Sequence, residues 1–362
     1  MTVSVFDHPL LSGLLGDDET AALFSVTLDI SAMLRFEVAL ARSQAAEGVI
    51  SAAAAAAIEK ACRDFEPDME ELRRDTARDG VVVPGLVRQA RARIPSEHAS
   101  SFHRGPTSQD LIDTSLILRL RSVAEIVDRR LKEVVAALAD VDRKFGSNLL
   151  VARTRMQRAL DVRVRDRVSA WRDPLVRHRE RLSEIGPRLC VLQMGGASGT
   201  LDPADGNWPA VTRRLGAELG LPAPATSWHS QRDRLVEFAG CLAGITGSLG
   251  KFGQDVALMA QDEVSEVALA AGGQSSAMPH KNNPIGAEVL VTLARFNAVQ
   301  ISAMHHAMVH EQERSGAAWT LEWMVLPQIC VATAAALGWA EKVIAAIRQL
   351  GKIQALENDA LR

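Results

Sequence analysis

Three stretches of this chain concentrate hydroxyls, imidazoles, guanidinium groups and a lysine at spacings that chemistry could use. The first is Phe102 to Thr114, FHRGPTSQDLIDT. Thr107 and Asp110 stand at capping-box spacing and Ser108 could also cap, so one reading is only a well-made helix start. The other reading uses the same physics. Free N–H groups at a helix N-terminus, beside the hydroxyls of Thr107 and Ser108 and the imidazole of His103, make a ready site for a carboxylate. The second stretch is 151–167, VARTRMQRALDVRVRDR, which carries Arg153, Arg155, Arg158, Arg163, Arg165 and Arg167. Such a run is commonly a solvated helix face. Guanidinium groups are also the preferred forks for carboxylates, so binding of a polyanionic small molecule stands beside that reading. The third is Gly272 to Asn283, GGQSSAMPHKNN. It reads as a linker, as a phosphate loop (poorly, since G-x-x-x-x-G-K-[ST] is missing), or as a mobile catalytic loop. In the last case Ser275 or Ser276 would transfer a proton and Lys281 would stabilise charge.

Two smaller features have rival readings. His306 and His310 are four apart and would share a helix face, as a metal pair does, but no third ligand is evident and a polar interface suits His305, Glu311 and Glu313 equally well. In Trp228 to Arg234, WHSQRDR, Arg232 and Asp233 suit local ion pairs, while Gln231 or His229 could face a ligand. No G-x-S-x-G elbow supports a Ser–His–Asp hydrolase.

These residues need elements to place them, and the pattern is helical nearly everywhere. Apolar residues from Asp29 to Glu47 fall at helical spacing, with Gly48 as a stop. The longest candidate runs from Ser108 to Phe145 without Gly or Pro. At about 1.5 Å per residue it makes a rod of roughly 57 Å, which must bury its apolar stripe against other long helices of this chain or of its copies. Further helices are expected at 162–186, 229–270, 285–311 and 321–350. The second of these holds Gly240, Gly244, Gly247, Gly250 and Gly253, which marks either a close helix contact or a break. Stretches 192–208 and 271–284 read as non-helical, and no convincing set of period-2 strands is found. The expected fold is all-α, with an N-terminal helical domain at 1–105, a central long-helix bundle at 106–350 and a short remainder at 351–362.

Composition narrows the class. The chain has 362 residues, 47% hydrophobic and 23% charged, which excludes wholesale disorder. Aromatics are 4%, with no tyrosine, which disfavours an all-β fold. A net charge of -3 disfavours a dedicated nucleic-acid binder. Cys62, Cys190, Cys241 and Cys330 lack metal or redox spacing and suit a reducing compartment. The N-terminus lacks a leader pattern and no window reads as a membrane span, so a cytoplasmic protein without membrane partners is expected.

Taken together, HRGPTSQDLIDT resembles the first signature stretch of the fumarase/aspartase superfamily, and SSAMPHKNNP resembles its serine-loop signature, S-S-x-M-P-x-K-x-N. The order of the two agrees, and the likeness covers most of the chain. The phrases WHSQRDRLVEFAG, GSLGKFGQDVALMAQ, HEQERSGAAW and LEWMVLPQ look most like its bacterial cycloisomerase branch. The resemblance implies a homotetramer whose core takes five long helices from each subunit, with each active site built from three chains. It implies Ser275 as the base, with Ser276 as second choice, and Lys281 as support for an aci-carboxylate carbanion. It implies substrate contacts from His103, Thr107, Ser108 and Asn283.

The departures are as informative. Where lyase relatives carry G-R-T-H-G-Q, this chain has Ala152, Arg153, Thr154, Arg155, Met156 and Gln157, so Arg155 replaces a histidine that protonates leaving groups. Arginine stays charged and is a poor proton shuttle. An amine leaving group needs a proton; a carboxylate does not. The implied activity is therefore a cycloisomerase of the protocatechuate route, closing the tricarboxylate 3-carboxy-cis,cis-muconate to 4-carboxymuconolactone with no metal or other cofactor. Arg153, Thr154, Arg155, Gln157 and Gln231 are expected substrate contacts, and His310 or His103 would help return the proton. The rival activity is an elimination releasing fumarate from a succinyl-amine; a third class is a catalytically silent helical scaffold. Gln274 and Pro106 also depart from the family pattern.

Overall fold

The computed structural model describes residues 3–201, 204, 206–270, 273–274, 278 and 282–353. Ser275, Ser276 and Lys281 lie outside the described residues. The elements in chain order are α1 (Ser12–Leu15), α2 (Asp18–Ala22), α3 (Val26–Ala46), α4 (Ala52–Arg63), α5 (Met69–Asp79), α6 (Val83–Arg91), α7 (Ser96–Ala99), α8 (Ser108–Phe145), β1 (Leu149–Thr154), β2 (Gln157–Arg163), α9 (Val164–Leu189), α10 (Trp208–Leu219), α11 (Asp233–Met259), β3 (Val267–Leu269), β4 (Gly273–Gln274), β5 (Asn282–Asn283), α12 (Ile285–His306), α13 (Ala317–Ala346) and β6 (Ile347–Leu350). The strands form three two-stranded antiparallel pairs, β1–β2, β3–β6 and β4–β5, and the architecture is all-α.

Helix α8 is the spine. From Val123 onward its buried residues, Val127, Leu131, Val134, Leu138, Val141 and Phe145, follow helical spacing and make one stripe. Its first turns differ: every residue from Gln109 to Leu118 is buried, so this end is enclosed on all sides. Helix α9 returns along α8, α11 packs against α9, α12 packs against α11, and α13 closes the bundle against α8, α11 and α12. The N-terminal helices are fastened to the bundle by the Arg130–Asp17 ion pair at 2.6 Å and the Trp339 indole N–H donated to the Leu14 carbonyl at 2.7 Å.

The glycine-rich helix is continuous through all five glycines. A Cβ on Gly250 would lie 2.5 Å from the Ala294 Cβ, and one on Gly253 2.6 Å from the Ala287 carbonyl, so α11 and α12 touch almost backbone to backbone. Gly244 approaches His178 of α9, whereas Gly240 and Gly247 face open space. Helix α13 carries an 18-residue window of mean hydropathy 1.5, long and apolar enough to cross a membrane by length and composition, which the sequence reading passed over. Here 67% of that window is buried inside the protein, as suits a core helix.

Several sequence expectations need correction. The arginine-rich stretch is not one helix face: Arg153, Arg158 and Arg163 lie on the strands of the hairpin β1–β2 and Arg155 in its turn, while Arg165 and Arg167 open α9. The helix expected to reach residue 270 ends at Met259 and is followed by a turn and β3, while the last helix ends at Ala346 and gives way to β6. The helix expected to reach 311 stops at His306, so His306 and His310 share no helix face. The cysteines are unpaired, and burial pushes the Cys62 thiol up to about 12 and the Cys241 thiol up to about 11.

The α11–α12 contact gives a paired prediction. Gly253→Ala overpacks a closed interface and should cost about 1–3 kcal/mol. Gly247→Ala meets no neighbour and should gain about 0.5–1 kcal/mol from helix propensity. Urea unfolding of the two variants should move in opposite directions.

Candidate functional site

The enclosed start of α8 is organised by one carboxylate. Asp110 accepts the Thr107 N–H at 2.9 Å, which closes the capping box the sequence suggested. It also accepts the N–H groups of Gly195 and Gly196, each at 2.9 Å, and pairs with His229 Nε2 at 2.7 Å. The loop must come this close as glycine: Gly196 is left-handed at φ 64°, and a Cβ on Gly195 would fall 2.5 Å from the Ser227 hydroxyl. Gln109 donates to the His229 carbonyl at 2.9 Å and accepts from Arg314 Nε at 3.0 Å; Arg314 also donates to the Ala197 carbonyl at 3.2 Å. Ser108, Gln109, Arg314 and Trp319 line one open cleft. A helix N-terminus, two hydroxyls and an exposed guanidinium thus converge where an anion could be held.

Beneath this lies a buried ion cluster. The Arg232 guanidinium, fully buried, donates to Asp113 at 2.6 and 3.0 Å and to Glu322 at 2.8 and 2.6 Å, while the Trp319 indole donates to Asp113 at 3.1 Å. Burial opposes the Arg232 charge, but the two carboxylates outweigh it and its pKa is raised. His310 Nε2 lies 3.6 Å from Glu322, and neither ring nitrogen has a hydrogen-bond partner. His103, just before the helix, pairs through Nδ1 with the Glu37 carboxylate at 2.5 Å.

The other end of the rod carries the hairpin. Thr154 pairs with Gln157 around a two-residue turn in which Arg155 (φ 49°) and Met156 (φ 67°) are both left-handed, the geometry of tight hairpin turns. Thr154, Arg155 and Gln157 are exposed, and Met156 and Leu160 are exposed at 77% and 81%. Arg153 is committed elsewhere: it pairs with the buried Glu266 at 2.7 Å, whose other oxygen accepts the Val151 N–H at 3.2 Å. The serine loop starts from the same end. Gly273 and Gln274 pair with Asn283 and Asn282, and the Asn282 amide donates to the Leu269 carbonyl at 3.1 Å.

The structure therefore sorts the sequence-nominated residues into two groups. His103, Thr107, Ser108, Gln231 and His310 gather at the start of α8. Arg153, Thr154, Arg155, Gln157 and Asn283 sit past its far end, roughly 55 Å away at about 1.5 Å per residue. Ser275, Ser276 and Lys281 lie outside the described residues. Sequence reasoning took Asp110 only as a cap and missed Arg314, Gln109, Glu37 and the Asp113–Glu322 pair. Asp113 had a legible signal, an acidic residue inside an apolar run, whereas Glu37 had none. Among the described residues no group of three or more His, Cys, Asp or Glu side chains could hold a metal ion.

Arg232→Met should cost about 3–5 kcal/mol, because it leaves two buried carboxylates uncompensated. Chemical denaturation measures it; a loss below about 1 kcal/mol would mean that the cluster is dispensable to the fold.

Residues 17–301 match the family described as Lyase. Over 347 residues the chain is 40% identical to the 3-carboxy-cis,cis-muconate cycloisomerase of Pseudomonas aeruginosa, covering 94% of this chain and 74% of that protein. It is 39% identical to the enzyme of the same name from Pseudomonas putida, covering 89% and 78%. The crystal structure of the 3-carboxy-cis,cis-muconate lactonizing enzyme from Pseudomonas putida superposes with a TM-score of 0.89 at 37% identity, covering 94% of this chain and 77% of that one. A fumarate lyase from Mesorhizobium sp. BNC1 gives a TM-score of 0.86 at 36% identity, covering 93% and 76%.

Proposed function

The chain belongs to the lyase family of the fumarase/aspartase superfamily, and on that premise we propose that it closes 3-carboxy-cis,cis-muconate to 4-carboxymuconolactone in protocatechuate breakdown. One substrate carboxylate adds its oxygen to a carbon of the conjugated diene. The electron pair moves onto the neighbouring carbon as an aci-carboxylate carbanion, which then takes a proton. No electrons are gained or lost, so the step asks for no redox cofactor. The similarity to the cycloisomerases of two Pseudomonas species supports this substrate.

The observation that carries the reading is Arg155, held at the tip of an exposed hairpin. A permanent cation there can steady a carboxylate as it attacks or departs, but it cannot serve as the proton donor an amine leaving group requires. At the opposite end, the α8 N-terminus with Thr107, Ser108 and Arg314 offers donors for a second carboxylate. The third group comes from the serine loop, with Ser275 (or Ser276) transferring the proton and Lys281 supporting the carbanion. Gln231 and Asn283 complete the polar lining, and His310 assists proton return. Arg153, tied to Glu266, serves to fix the hairpin rather than to touch substrate.

Because one rod keeps these groups roughly 55 Å apart, a working site needs ends contributed by different copies. We propose a homotetramer with shared active sites, its core built from the long helices. The exposed Met156 and Leu160 on the hairpin suit burial against a neighbouring copy. The chain divides into the helical region 1–105, the bundle 106–350 and the short remainder 351–362, and its unpaired thiols suit the cytoplasm.

The direct test follows the ultraviolet absorbance of the conjugated diene. Loss of conjugation without release of fumarate is the expected result. Fumarate release from succinyl-amines or succinyl-thioethers, with the diene untouched, would replace this reading by elimination. Arg155→Ala should lower kcat/KM by about 10²–10³-fold with little change in melting temperature, as for a lost charge-stabilising donor. Ser108→Ala mixed with Arg155→Ala, after dissociation and reassembly, should regain part of the activity that each lacks alone. No recovery would mean that both groups serve within one chain.

A further inference from the structure

Glu37 lies on α3, outside every segment that the proposed chemistry uses. Its side chain is nevertheless buried, with one oxygen 2.5 Å from His103 Nδ1. The residue it meets is held in an unusual way. His103 is left-handed at φ 57°, which a side chain adopts only when its surroundings enforce it. The enforcement is visible on both sides: Arg91 donates to the Phe102 carbonyl at 2.9 Å, and the Gln44 amide donates to the Arg104 carbonyl at 2.7 Å. Three contacts thus aim one imidazole, four residues before the Thr107–Ser108 start of α8.

The ring has two ends with different fates. Nδ1 is closed off by Glu37. Among the described residues no hydrogen bond engages Nε2, and the side chain keeps 14% of its surface exposed. The charged groups facing the ring are Glu37 from α3, Asp110 from α8 and Arg91 from α6. Two are anions and one is a cation, and the anion in contact is the buried one. Burial works against an imidazolium here, but Glu37, with a smaller contribution from Asp110, outweighs it and raises the pKa of His103.

We infer that Glu37 is a positioning residue: it grips His103 through Nδ1 and keeps the ring cationic, so that the open Nε2–H is a fixed, charged donor to a substrate carboxylate at the start of α8. The inference rests on the polycarboxylate reading above. It adds a cation to a pocket whose other donors there are hydroxyls, helix N–H groups and Arg314. It also makes binding dependent on pH, because this donor, unlike arginine, can lose its charge.

The sign follows from linkage. A pair that raises the pKa of His103 stabilises the fold fully below the ordinary value of 6.5, and that contribution is lost as pH rises through the raised value. Binding through the imidazolium fades over the same range. In Glu37→Gln the ring should lose its charge at lower pH. The alkaline limb of kcat/KM therefore moves acidward, with KM raised roughly tenfold at a pH between the variant's limb and the parent's, as for one lost charge-assisted hydrogen bond. Below the acid-shifted limb of the variant, where both proteins carry the proton, KM should be little changed, and kcat should hold throughout.

A second readout does not use activity. Diethyl pyrocarbonate acylates only the neutral ring, so mass mapping of the His103 peptide should find modification beginning at lower pH in Glu37→Gln than in the parent chain. A variant with a uniformly lower kcat, an unmoved limb and unmoved acylation would overturn the inference. Should Glu37→Gln fail to fold, His103→Gln serves instead: it keeps a polar partner for Glu37 and should lose the limb altogether, and retention of the limb would again be fatal. If the parent chain leaves the diene untouched, the proposed reaction fails, while the acylation series still decides whether Glu37 holds the proton on His103.

Discussion

The organisation of this protein depends on the carboxylate of Asp110 being buried and fully occupied. It gathers the Thr107 N–H from its own helix, two N–H groups from the Gly195–Gly196 turn and the ring of His229. A buried carboxylate is tolerable only with such company, since each missing donor would leave charge in a region without water. Because the donors come from three places in the chain, satisfying one side chain sets the positions of all three. The Arg232 cluster repeats this logic one turn further along, joining α8, α11 and α13 through Asp113 and Glu322. The Asp110 end of the rod is therefore fixed because its polar groups are committed to one another. Its free donors, at Ser108 and Arg314, are carried on that fixed base.

The opposite end obeys another rule. The hairpin turns through two left-handed residues, presents apolar side chains to solvent and is fixed at its root by Arg153 and Glu266. A two-stranded ribbon with one exposed strand has little to stabilise it alone, so the proposed contact with another copy would give it a reason to persist. The proposed assembly joins a rigid binding end from one chain to an extended tip from another. The length of α8 is the reason for that proposal, since the helix runs unbroken between the two.

Much of this was legible in the sequence, and the parts that were not share a cause. The limits of α8 could be read because capping residues, an uninterrupted apolar stripe and Gly146 act within a few positions of one another. The glycines of α11 left two readings open, and packing against α12 decided between them. The hairpin was missed because β2 is exposed along nearly its whole length and β1 is half-buried on both faces. Without a buried side there is no alternation to detect, and the Arg155–Met156 turn lacks the Asn or Gly that usually marks one. His310 looked like the end of a helix, whereas the chain leaves α12 at His306 and folds back towards Glu322. Glu37 and His103 are 66 positions apart, and Asp110 meets its loop donors from 85 and 86 positions away. Partnerships at such separations leave no local spacing to read.

The exposed hairpin tip has an evolutionary consequence. Residues at the enclosed end are bound to several neighbours each, so replacing one disturbs the fold before it alters chemistry. Arg155 is exposed and has no ion pair or side-chain hydrogen bond among the described residues, and on the proposed reading exchanging it would change which departing group is accommodated while the scaffold is spared. A lineage built on this plan can diversify its reactions by drifting at one solvent-facing position, without reinventing the apparatus that grips the acid.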